Sequence, residues 1–186
     1  MELPIKGQSK WQFVTSSTGG LGVEFVAVEG GAIYLTDPAK KAQTFRYGSA
    51  GAGLAWGLKL PKIGKLEVKV RGKSIGGVVA PAAFPNAGAL YVMESFKGDD
   101  FTRSDITGAC VFVEVYGGLI LGYSGTAMLF GVSPAWLSAV LLGGPLGSGP
   151  ALLPMLHSAR GLLLMRGLSV GLVGGAGAGA FVGGIF

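Results

Sequence analysis

Charge is scarce in this sequence, and cysteine and histidine are nearly absent. Of 186 residues only 13% are charged, about half the share of an ordinary soluble domain. Cys110 is the single cysteine, which excludes an internal disulfide. His157 is the single histidine, so the usual zinc ligand sets cannot be assembled. The amino terminus, MELPIKGQSKWQ, has no apolar run of signal-peptide length, so export through a cleaved leader is not expected. Acidic residues stop at Glu114, and beyond it only Arg160, Arg166 and His157 can carry charge. The chain therefore divides into an ordinary polar part and an almost uncharged one, an asymmetry more telling than its net charge of +5.

What the chain has in excess is glycine, 35 residues, where average usage is about 7% of a sequence. In the polar part these glycines punctuate short β-like runs. Leu21 to Val28 and Ala32 to Thr36 are bounded by Gly19-Gly20, Gly30-Gly31 and Asp37-Pro38, which are turn signals. Leu66, Val68 and Val70 alternate with Glu67, Lys69 and Arg71, as in a half-buried strand. Ala89 to Phe96 and Ala109 to Tyr116 read as further strands, separated by a polar loop, Lys97 to Thr107. Residues 1–110 are expected to form a β-rich antiparallel sandwich or barrel. The basic cluster of Lys59, Lys62, Lys65, Lys69, Arg71 and Lys73, interrupted by Glu67, fits a solvated strand face, and no nucleic-acid partner is expected.

Residues 111–186 read differently. From Val115 to Leu156 no side chain is charged. Ser133 before Pro134 is a good helix start, with a stop at Gly143-Gly144-Pro145. Gly167, Gly171, Gly175, Gly179 and Gly183 repeat every four residues, and on an α-helix positions four apart lie on one face. Such a face lets two helices approach closely in lipid. The run from Gly167 to Phe186 would span about 30 Å as a helix, the thickness of a bilayer's hydrocarbon core. A flexible tail or a helix packed in a soluble core also fits a Gly/Ala tract. Leu172, Val173, Phe181, Val182 and Ile185 argue against the tail. The expected fold is thus α+β: a β-rich amino-terminal part followed by glycine-rich hydrophobic helices.

Catalytic signals are weak. Gly122-Tyr123-Ser124-Gly125-Thr126 approaches a nucleophile elbow, but Thr126 stands where its final glycine belongs. His157 would be the only base for Ser124, and it lies in an apolar segment. Gly175, Gly177 and Ala180 loosely match a dinucleotide fingerprint, yet no acidic residue follows to hold a ribose. Asp99, Asp100 and Asp105 fit no EF-hand spacing. The expectation is a protein that is not an enzyme and carries no cofactor or metal.

The glycine repeat from Gly167 to Gly183, with the uncharged region from Val115 onward, resembles glycine-zipper pore-forming effectors of bacterial type VI secretion. The resemblance covers roughly the last 70 residues. It implies a toxin held in its producer's cytoplasm, loaded into a secretion-tube protein, and inserted into a target cell's inner membrane. It further implies a homo-oligomer in the lipid membrane that dissipates ion gradients, and a cognate immunity protein in the producer. Gly167, Gly171, Gly175, Gly179 and Gly183 would be the helix-packing residues. The alternative is a soluble structural or binding module with a glycine-rich packed core.

Overall fold

A computed structural model of the protein describes residues 4–23, 26–56, 68–70, 73–75, 78–118, 121–142, 150–170 and 175–186. Among them the chain runs β1 (Ile5–Gln8), β2 (Gln12–Val23), β3 (Val26–Thr36), β4 (Ala42–Trp56), β5 (Val68–Val70), β6 (Lys73–Ile75) and β7 (Val78–Met93). It continues with α1 (Arg103–Ile106), β8 (Gly108–Gly118), β9 (Leu121–Phe130), α2 (Pro134–Leu142), α3 (Leu152–Ser158), β10 (Gly161–Val170) and β11 (Gly175–Ile185). The main sheet has the order β1-β7-β10-β9-β8-β11-β4-β3-β2, and β2 returns to pair with β7. β1 and β2 follow one another along the same edge of β7. Every pairing is antiparallel, and the ring closes as a barrel. The closing ladder joins Thr18–Gly22 of β2 to Ala83–Val78 of β7, which shortens the edge open to edge-to-edge aggregation.

This overturns the expected helical second part. Gly167 lies in β10, and Gly175, Gly179 and Gly183 lie in β11. Gly171 falls outside the described residues, as do Lys59, Lys62, Lys65 and Arg71 of the basic cluster. A four-residue repeat is shared by both periodicities, since positions i, i+2 and i+4 of a strand also line one face. Glycine costs roughly 0.5–1 kcal/mol per residue in a helix or a strand interior alike, so the pairing of β11 with β8 and β4 decides for the strand. Among the described residues the helices are α1, α2 and α3, and none is long and apolar enough to cross a membrane. The sheet draws on both parts of the chain: β11 lies between β8 and β4.

Glycine is required where β11 meets β4. A Cβ on Gly183 would lie 2.1 Å from the Gly48 carbonyl oxygen, and one on Gly51 would lie 2.2 Å from that of Ala180. These are backbone atoms of the neighbouring strand, so the two strands coil together only with bare backbone at both positions. At Gly179 the vacant space is taken by the ring of Phe181, which a Cβ would meet at 2.5 Å.

Alternation along each strand divides the wall into an inner and an outer face. Ile33, Leu35, Phe45, Tyr47, Leu90, Phe112, Met128, Phe130, Leu163, Met165, Phe181 and Ile185 are buried together inside. Phe112 stacks on Phe181 at 4.8 Å between ring centroids, and Tyr47 meets Phe112 edge-on at 5.8 Å. A barrel of eight strands is just wide enough for such side chains to fill, so this end is solid. The loop after β7 closes it. Phe101 packs edge-on against Phe130 at 5.0 Å, and Ile106 of α1 is buried beside it. Trp11 donates from its indole Nε1 to the Phe101 carbonyl at 2.8 Å, which fastens the loop to the start of β2.

Outside, α2 and α3 form a strap over part of the wall. α2 begins at Pro134, the start expected from its sequence. Val140 and Met155 of the strap are buried with Val111, Leu129 and Leu162, whose side chains point outward from β8, β9 and β10.

Candidate functional site in the barrel wall

β8 carries the clearest contrast between the two faces. Cys110, Phe112 and Glu114 are buried, whereas Val113 and Val115 are 47% and 52% exposed. Strand geometry dictates this, because residues two apart share a face. Glu114 therefore continues the line of Cys110 and Phe112 into the interior. It is 6% exposed, and among the described residues neither a hydrogen bond nor an ion pair reaches it. Burial pushes its carboxyl from an ordinary value of 4.5 up to about 7, because a charged carboxylate is poorly solvated there.

Its neighbours in register are small or uncharged. Glu114 is paired with Thr126 of β9 and Gly179 of β11, and Thr126 in turn with Met165 of β10. Ser124, two residues from Thr126 on the same face, is 4% exposed, and its hydroxyl has no hydrogen-bond partner. Ser16 of β2 is in the same state. Two buried hydroxyls, those of Ser16 and Ser124, thus lack a hydrogen-bond partner, and each calls for an explanation.

The outer face of the same strands is apolar. Leu164 of β10, Ala127 of β9, Val113 of β8 and Ala180 of β11 are consecutive partners across the sheet. Val115 sits one step along, and Tyr123 of β9 is 74% exposed. Arg166 is the one charged side chain of this outer region among the described residues. Polar groups without partners inside and bare apolar groups outside is the reverse of what water favours on both sides of one wall.

The other residues singled out in the sequence are dispersed. Ser124 faces the interior, while His157 is exposed on α3 outside the wall, so the two do not form a nucleophile and base. Asp100 accepts hydrogen bonds from the Ser9 hydroxyl and from the Lys10 amide at 2.8 Å. Asp105 caps α1 with Thr102 and pairs with Arg160 at 3.1 Å. Both therefore hold the loop in place, and no group of acidic, histidine or cysteine residues suited to a metal ion occurs among the described residues. The Cys110 thiol is buried and pushed up to about 12 by desolvation, which makes it unreactive. Gly179 and Gly183 line the inner side of β11 with Phe181 and Ile185, and Gly167 is buried on β10 beside its partner Ser124. Glu114 escaped notice in the sequence, although the alternation of ACVFVEV already sets it with Cys110 and Phe112.

The fold and the site together define a small antiparallel β-barrel with an apolar patch on its outer wall and a largely apolar, aromatic interior that also holds Glu114 and Ser124. Protein-family models give no match to the chain, and neither does any solved structure. Among curated proteins, Toxin protein Tse4 of Pseudomonas aeruginosa is 42% identical over 193 aligned residues, covering 100% of this chain and 99% of that protein. The chain belongs to the Tse4 toxin family.

Proposed function

We propose that this toxin is antibacterial and acts by making a target cell's inner membrane permeable to ions, without catalysing a reaction. The observation that carries the proposal is the reversed wall of β8, β9 and β10. Glu114 is buried with its carboxyl pushed up by desolvation, Ser124 is buried without a partner, and Val113, Val115, Tyr123 and Leu164 face outward. Large exposed apolar patches mark surfaces that meet a protein or a membrane. Lipid against the outer wall relieves one half of this conflict, and wetting of the interior relieves the other. The packed barrel is the form held in water. Its aromatic-filled end is not a conduit, so permeation requires a rearrangement or an assembly of several copies.

The remaining parts of the proposal follow from the resemblance to type VI secretion effectors. The toxin is made in the producer's cytoplasm, carried by a secretion-tube protein, and neutralised in the producer by a cognate immunity protein. The helical glycine zipper has no place in this scheme.

A second reading, a binding module with a packed core, draws on the filled end around Phe45, Phe112 and Phe130. Dye release from protein-free vesicles of bacterial phospholipid separates the two. The permeabilising toxin releases dye, and the Val113→Asp/Val115→Asp variant, altered only on the exposed wall, loses at least tenfold in release while its circular dichroism is unchanged. Intact vesicles with wild-type protein would leave the binding module as the better account.

A further inference from the structure

The strap is largely apolar on both sides, Ser138 and His157 being its exposed polar side chains outside the helix starts. Val140 and Met155 are spent on the barrel wall, yet Trp136, Leu141, Leu142 and Leu153 remain exposed, Leu142 to 89%. A helix that is apolar all round belongs in a core or in lipid, and α2 and α3 lie on the surface. We infer that the outer side of the α2–α3 strap is a lipid-docking surface, with Trp136, Leu141, Leu142 and Leu153 entering the interfacial region of a bilayer. The inference rests on the permeabilising reading above and deepens it by naming where the membrane is first met.

Two observations favour lipid over a protein partner. Protein interfaces carry a polar rim around their apolar centre, whereas the strap has few exposed polar side chains, Ser138 and His157, and no Lys, Arg, Asp or Glu. The strap is also continuous with the bare wall. It covers Leu162, Leu129 and Val111, and the adjacent row along the same strands is Leu164, Ala127 and Val113. One apolar surface therefore runs from the strap to the barrel. Trp136 suits the boundary of that surface, since tryptophan favours the headgroup level, where its ring is half in lipid.

The test uses the full chain with Leu142→Cys labelled by an environment-sensitive dye, the native Cys110 being buried and unreactive. A Lys41→Cys label on the exposed β3–β4 turn is the control. On mixing with phosphatidylethanolamine–phosphatidylglycerol vesicles, the Leu142 label should shift to the blue and be quenched by a lipid-borne quencher, and the control should do neither. Leu153→Asp should weaken vesicle binding at least tenfold in sedimentation. A Leu142 label that stays in water while the vesicles leak overturns the lipid-docking strap and leaves the permeabilising function standing. A label that enters lipid while the vesicles stay sealed supports the strap and removes that function. A blue shift that depends on protein concentration without lipid assigns the surface to a second copy and overturns the inference.

Discussion

Glu114 is the residue at which burial and charge conflict most. Its carboxyl ordinarily titrates near 4.5 and is held at about 7 in the folded barrel. The folded chain therefore binds this proton more tightly than the unfolded chain. The resulting stability is fully present below about pH 4.5, declines as pH rises towards 7, and is gone above that window. The loss is on the order of 3 kcal/mol. Glu114→Gln should abolish this decline, so that urea midpoints at pH 5 and pH 8 differ far less in the variant than in the wild type. Equal slopes in the two proteins would show that Glu114 is satisfied by a partner. Asp105 acts in the opposite sense and in a separate window. Burial tends to raise its carboxyl, but hydrogen bonds from the Thr102 side chain and backbone, together with Arg160, outweigh this and hold it below 3.8. Its contribution is present above that value and is lost as pH falls further.

At the scale of elements, the strands of the polar part were largely legible and those of the uncharged part were not. Ala32 to Thr36 and Ala109 to Tyr116 lie in strands, as their apolar runs and flanking glycines indicate, whereas of Ala89 to Phe96 only the part to Met93 does. Leu21 to Val28 reads as one strand in the sequence, yet Leu21 to Val23 end β2 and Val26 to Val28 begin β3, with Glu24 and Phe25 outside the described residues. The repeat Gly167 to Gly183 misleads because a period of four satisfies both helix and strand. What decides between them is long-range: the Gly51 and Gly183 backbones must lie against the partner strand, and no local pattern announces that contact. Gly183→Val makes this measurable. With a backbone oxygen 2.1 Å from the new Cβ, the variant should lose about 3 kcal/mol or more. A helical zipper would tolerate valine in water and fail only in lipid. An unaltered thermal midpoint for Gly183→Val would therefore contradict the β4–β11 register. Ser133-Pro134 shows the converse case, a short-range signal that places the start of α2 directly.

For the molecule as a whole, the division near residue 110 marks a change of composition, and the sheet runs across it. Strands β2, β3, β4 and β7 from before that point and β9, β10 and β11 from after it build one wall. The scarcity of charge after Glu114 is explained by the outer surface of that wall and by the strap lying on it. The single-channel conductance of a planar bilayer exposed to purified protein tests the account most directly. Discrete current steps from the wild type, absent with Val113→Asp/Val115→Asp, are the result the account predicts. A silent bilayer beside folded wild-type protein, or equal currents from the variant, would contradict a toxin that works through its apolar barrel wall.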